Sequence, residues 1–242
     1  MCRYTSDLFS LLGTIILWVY WPSFNGGTAA TGDGQMRAVT NTYLSLCACA
    51  VTTFAISAGT NPKRQWVMAH IQNATLAGGV IVGACADMML SPVGSIVAGA
   101  LAGCVATLGF VYVQPFLAEK LKITDTCGVN NLHGMPSILG GLLSVLIAGL
   151  ATKEEYDQFN KYSNIPEKSS LFEIFPLNFK NSDVWEWSPG YQAGMQMAGI
   201  VSVSHASAPT RDMNSWVKSS SAACSSGTNA LVSTGISFIC GI

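Results

Sequence analysis

The sequence predicts an all-α protein that crosses a membrane several times. Three observations carry that prediction. Of the 242 residues only 10% are charged, against roughly 25% in an ordinary soluble domain. The mean hydropathy is +0.39. Finally, the stretches 8–32, 38–62, 65–86, 88–118 and 126–152 carry no Asp, Glu, Lys or Arg, and each can supply the ~20 residues with which a helix spans a bilayer. Lipid leaves a chain only helices or closed barrels, and these runs lack the two-residue alternation of a barrel strand. The expectation is a polytopic helix bundle with spans at 8–24, 39–59, 67–87, 95–116 and 132–151. A soluble enzyme is disfavoured by the composition. Nucleic acid is disfavoured by a net charge of −1 with no basic cluster.

The first span ends in Trp18, Tyr20 and Trp21 and lacks a small-residue cleavage site, so it is expected to stay in place. The second contains Cys47 and Cys49 and the third Cys85, with Cys104 in the fourth and Cys127 just ahead of the fifth. That placement argues against a disulfide framework and for small packing residues. No cysteine pair has metal-ligand spacing with a histidine, so no metal or other cofactor is expected. The later spans are rich in small residues: Gly78, Gly79 and Gly83, then Gly99 and Gly103, then Gly140 and Gly141. Such residues let helix backbones touch. Asn73-Ala-Thr75 matches a glycosylation sequon but lies within an expected span, out of reach of that chemistry.

Orientation follows from Lys and Arg in short loops. Arg3, Lys63, Arg64, Lys120 and Lys122 fall on one side and only Arg37 on the other; the first side is expected to be cytoplasmic. The organisation is then five spans over 1–152, an extracellular loop at 153–190, an incomplete final span at 191–204 and a divergent Ser-rich tail at 205–242. Neither 190–203 nor the apolar end of the tail reads as a convincing helix. The charges divide the same way, 11 in 1–152 and 14 in 153–242.

Polar groups inside a span are costly and call for a reason. Asp125-Thr-Cys-Gly-Val-Asn-Asn-Leu-His133-Gly-Met-Pro136 leads into the fifth span. Asp125 can satisfy free N–H groups where that helix starts. His133 lies deeper, either as a hydrogen-bonded core histidine or as a pore-lining imidazole able to share a proton with a small substrate. His70-Ile-Gln-Asn-Ala-Thr75 offers four hydrogen-bonding side chains, of which Gln72, Asn73 and Thr75 are expected to join neighbouring helices. Trp18-Val-Tyr-Trp21-Pro-Ser-Phe24-Asn25 is either an interfacial aromatic belt or an aromatic gate that attracts cations. Asp87 is expected at headgroup level.

Together with Gly13-Thr-Ile-Ile-Leu-Trp18, Asn41-Thr-Tyr43 and Thr107-Leu-Gly-Phe-Val-Tyr112, these motifs resemble the Rh glycoproteins of the ammonium transporter superfamily. The resemblance covers about 5–152, with weaker echoes at Leu171-Phe-Glu-Ile-Phe-Pro176 and Gly190-Tyr-Gln-Ala-Gly194. It implies an inverted repeat of two five-helix halves, of which this chain matches the second with about five to six spans. It also implies trimeric assembly, with like or different Rh-type subunits, and a narrow apolar pore for ammonia or ammonium in each protomer. By motif position His133 matches the second of two facing pore histidines and Phe24 the second gating phenylalanine. Asp125 matches the acidic residue ahead of that histidine, structural or linked to proton transfer. Asn130 and Asn131 would line the cytoplasmic approach. The resemblance implies a multi-pass protein of the plasma membrane.

Set against that pattern, the chain begins at the second half, turns Ser-rich from Ser202, and carries Val67 where an acidic residue is expected. The expectation is therefore a fragment that conducts only when complete. The competing reading is a non-conducting structural subunit or non-functional fragment. An intramembrane enzyme would need a Ser/His, paired-Asp or metal constellation, and the sequence offers none.

Overall fold

The computed structural model describes residues 4–29, 32–122, 125, 128–152 and 188–206. Among them the chain is helical, without a strand. Four helices are long and apolar enough to cross a membrane: α1 (Tyr4–Gly27), α2 (Asp33–Thr60), α5 (Pro92–Leu121) and α6 (Asn130–Leu150). Between α2 and α5 lie two short helices, α3 (Met68–Asn73) and α4 (Ala77–Ile81), and α7 (Pro189–Ala206) closes the described fold.

α2 organises the bundle because its polar residues face inward. Asn41, Thr42, Ser45, Thr53 and Ser57 are buried while Val51 is 71% exposed, the reverse of a soluble helix and the arrangement expected where the surroundings are apolar. α5 lies directly against it. A methyl group at Gly99 would run into the Ser45 carbonyl oxygen, and one at Gly103 would sit 2.6 Å from the Cys49 carbonyl. Only glycine lets the two backbones come this close. The start of α5 is set by Ser91, whose hydroxyl accepts from the Gly94 N–H at 3.1 Å, followed by Pro92 in the first turn.

The third expected span departs most from a regular helix. From Met68 the chain runs through α3, a tighter turn at Ala74–Leu76, and α4, then continues in turns to Ser91. Nearly all of it is buried. Side chains of the flanking helices take up carbonyls that this broken segment exposes. Thr14 donates to Gln72 O (2.8 Å), Cys49 to Ala74 O (3.0 Å) and Ser45 to Gly78 O (2.6 Å). Asn25 donates to Gly79 O (3.0 Å), and Asn41 to Ala86 O (3.0 Å) and Leu90 O (3.2 Å). Irregular backbone at membrane depth is stable only where protein satisfies it, and here α1 and α2 do so.

At one end of the bundle Arg37 pairs with Asp33 and donates from Nε to the Asp87 carbonyl (3.0 Å), tying the start of α2 to the end of the broken crossing. α7 is a regular helix although 190–203 does not read as a convincing one in sequence. It packs along α6, with Gln192, Gln196 and Ile200 buried, so packing and not hydropathy shapes it. Of the loop expected at 153–190 and the tail expected at 205–242, the helix takes in 189–190 and 205–206, and 153–187 and 207–242 lie outside the described residues.

Candidate functional site

The residues singled out near the fifth span gather where α1, α5 and α6 meet. α6 begins in a wide-turn segment, Asn130–Gly134, before regular helix resumes at Met135. Asp125 anchors this start. Its two carboxylate oxygens accept from the Val129 and Asn130 N–H groups, each at 2.9 Å. Those donors have no partner within the helix, and a carboxylate also suits the positive end of the helix dipole. Gly128, at φ 69, makes the turn between them. The Phe110 ring of α5 fills the space where a side chain at 128 would project.

Asn131 is fully buried, and its amide donates to Gln114 Oε1 at 3.3 Å. Gln114 in turn donates to the Asp125 carbonyl at 2.8 Å, and Asn130 reaches Asn131 Oδ1 at 3.5 Å. Asp125, Asn130 and Asn131 thus form one network whose fourth member, Gln114, the sequence analysis does not single out. Its signal was faint: one amide before Pro115, near the end of a charge-free run.

His133 sits one turn deeper and is half-buried. Its imidazole stacks on the indole of Trp21, centroids 6.1 Å apart and planes at 21°. Phe24 lies edge-on to the same indole at 6.4 Å and 64°, and is 55% exposed. Trp21 therefore links Phe24 to His133. It can do so because residue 79 is glycine: a Cβ there would lie 2.7 Å from the indole Cγ and closer still to Cδ1 and Nε1. Asn25, one residue beyond Phe24, fixes the register by donating to Gly79 O and to Thr42 Oγ1, both at 3.0 Å.

The cluster at His70 divides. His70 Nδ1 is 3.0 Å from the Ser57 hydroxyl, which also accepts from the Val67 N–H at 3.1 Å, and the ring packs on Phe110 at 5.8 Å. Gln72 does join a neighbouring helix, donating to the Asp7 carbonyl of α1 at 2.9 Å. Asn73 and Thr75 instead donate back to Ala69 O (2.8 Å) and Ile71 O (2.7 Å) in their own segment, because a carbonyl four residues earlier is the nearest acceptor. Cys49 packs in the core as expected, and its thiol also donates to Ala74 O and accepts from the Gly78 N–H at 3.2 Å. No cluster of three or more His, Cys, Asp or Glu suited to a metal occurs among the described residues.

Chemically, the arrangement offers an aromatic face that attracts a cation, then an imidazole that can donate or accept a hydrogen bond. The profile of the Ammonium Transporter Family matches residues 1–211. An ammonium transporter Rh type B of Bos taurus is 57% identical over 153 residues, 63% of this chain and 34% of the relative. An ammonium transporter Rh type C of Xenopus tropicalis is 47% identical over 197 residues, 81% of this chain and 39% of the relative. The chain thus spans between a third and two-fifths of the length of these curated relatives. Among solved structures, Nitrosomonas europaea Rh50, described with the mechanism of conduction by the Rhesus protein family of channels, superposes with a TM-score of 0.59 at 28% identity. The match covers 97% of this chain and 46% of that one.

Proposed function

The chain belongs to the ammonium transporter family, in its Rh-type branch, and from that premise we propose that it forms one wall of a membrane channel for ammonia or ammonium. The observation that carries the proposal is the stack of Trp21 on His133, with Phe24 edge-on to the indole. It is an aromatic path ending on a half-buried imidazole. Phe24 is the gate, His133 the pore-lining imidazole, and Asn130 and Asn131 line the far approach. Asp125 holds the start of α6 and is the candidate for any linkage to a proton.

Energetics decide which species crosses. Transfer of a bare ammonium ion into an apolar passage costs on the order of tens of kcal/mol. An aromatic face returns about 0.5–2 kcal/mol, enough to gather the cation at the Phe24 end and far too little to carry it through. Ammonium therefore gives its proton to water outside the gate, and neutral ammonia passes His133, exchanging hydrogen bonds with the ring. Because Phe24 and His133 are only partly covered, the passage needs an opposing wall, which the greater length of the family's chains has room to supply. Trimeric assembly with like or different Rh-type subunits, the cytoplasmic placement of Lys63, Arg64, Lys120 and Lys122, and residence in the plasma membrane complete the proposal.

The test is flux in vesicles holding the complete gene product, read as internal pH for ammonia and as uptake of labelled methylammonium. His133→Ala is expected to change flux while leaving yield and melting temperature near wild type. Unchanged flux at equal protein density overturns the role of His133. A wild-type protein that conducts neither species is instead a non-conducting structural subunit.

A further inference from the structure

A second feature lies at the opposite end of α1 from Phe24 and is used by nothing described above. Leu11 of α1, Phe54 of α2, and Trp66, Met68 and Ile71 around the start of α3 line a cleft of 640 Å³, with Arg64 at its edge. That volume falls in the range of roughly 300–1,000 Å³ that small-molecule sites occupy. Phe54 and Trp66 meet edge to face at 5.1 Å and 88°, making a firm aromatic wall. Trp66 is nonetheless 65% exposed and Met68 40%.

The charge beside this apolar cleft is positive. Lys63 and Arg64 are adjacent and exposed, against Asp7 as the carboxylate of the described residues at this end of α1. Arg64 has φ 53, its N–H donates to Asn61 O at 2.9 Å, and its guanidinium makes no ion pair or hydrogen bond among the described residues. An apolar slot between helix ends, an exposed tryptophan, Arg64 and Gln65 in its lining and Lys63 next to Arg64 in the chain match one class of molecule: an anionic amphiphile. Tryptophan and Lys/Arg both favour the interfacial layer, and the cytoplasmic leaflet is where anionic lipids concentrate.

We propose that this cleft binds an anionic glycerophospholipid. One acyl chain lies along Leu11, Phe54 and Ile71, and the phosphate group is held by Arg64 and Lys63. Charge complementarity commits the site to an anionic lipid over a zwitterionic one. The site stands apart from the pore, so its failure leaves the conduction proposal untouched.

The experiment reconstitutes the complete gene product into phosphatidylcholine vesicles containing a minor fraction of either phosphatidylserine or phosphatidylcholine with brominated acyl chains. Quenching attributable to Trp66 is the difference between wild type and Trp66→Phe. Brominated phosphatidylserine is expected to quench this component several-fold more strongly than the brominated phosphatidylcholine. Lys63→Gln with Arg64→Gln should abolish the preference, while Lys120→Gln, an exposed cation on α5, should leave it intact. Arg64→Gly, suited to the positive φ, provides a second variant that keeps the loop folded and should weaken the preference. Equal quenching by the two lipids in wild type, or a preference that survives loss of both cations, overturns the proposal. So does the absence of Trp66-dependent quenching by either lipid, which would show the cleft covered by protein.

Discussion

Replacing Gly79 with alanine sets a methyl group against the indole of Trp21, and the structure dictates which side gives way. The added carbon would stand 2.7 Å from Cγ of the ring and closer still to Cδ1 and Nε1, whereas carbon atoms rest at about 3.5–4.0 Å, so a displacement of more than about 1 Å is required. The backbone at 79 is pinned, because its carbonyl accepts from Asn25, which also holds Thr42. The ring must therefore move, away from the position that stacks it on His133. Overpacking of this kind costs about 1–3 kcal/mol, and removing a glycine from a helical position returns about 0.5–1 kcal/mol. The net loss of about 0–2.5 kcal/mol is small beside a typical stability of about 5–15 kcal/mol. The variant should fold, and its flux can be read.

The assay pairs ammonia flux in vesicles with thermal melting in detergent. Gly79→Ala is expected to lower flux several-fold with a modest drop in melting temperature. Adding Trp21→Leu should recover the melting temperature, since the smaller side chain leaves room for the methyl group, without recovering flux. Gly13→Ala on α1, where no atom lies within 4 Å of the new carbon, serves as the neutral control. Wild-type flux and melting for Gly79→Ala refute the argument that this glycine seats the indole. A double variant no more stable than the single one shows that the strain falls elsewhere.

Two further predictions follow from the same contacts. Asp125→Ala should destabilise the start of α6 by about 0.5–2 kcal/mol, the usual cost of losing a cap. Asp125→Asn keeps an acceptor for one of the two N–H groups and should recover part of that loss; if it recovers stability but not flux, the carboxylate charge itself matters to conduction. Gly99→Ala forces α5 away from the Ser45 backbone and should cost about 1–3 kcal/mol or more, measured as a lower melting temperature; unchanged melting would mean that α2 and α5 are not in backbone contact.

The regular spans were legible because a charge-free run of sufficient length has few other uses in a chain. The glycine positions were equally legible as close contacts. Gly78, Gly99 and Gly103 all face α2 backbone or its first side-chain atoms, although spacing alone did not say which helix they meet. The break in the third span was not legible. Nothing in Ala-Thr-Leu-Ala-Gly-Gly-Val-Ile forbids a helix, and hydropathy averages over backbone conformation. The irregularity is stabilised by Asn25, Asn41, Ser45 and Cys49 from two other segments, so its cause lies far away in sequence.

That displacement of cause also explains what was hidden in the site. His133 and Phe24 were identified by motif position, but the residue that joins them had an ordinary interfacial explanation, since tryptophans crowd the ends of spans. The contact of Trp21 with Gly79 on one side and His133 on the other gives the ring a packing role that an interfacial belt does not require. The polar residues of α2 make the same point from the other direction. Asn41, Ser45 and Cys49 are costs inside a span until the broken crossing beside them is seen to need donors. Asn41 donates to Ala86 and Leu90 and accepts from Ser95 at 2.8 Å, using most of its hydrogen-bonding capacity on one turn. Buried polar side chains in this fold thus serve two ends. Thr14, Asn25, Asn41 and Ser45 complete a neighbouring backbone; His133, half-buried and stacked on Trp21, is the one that the proposal sets beside the passage for ammonia.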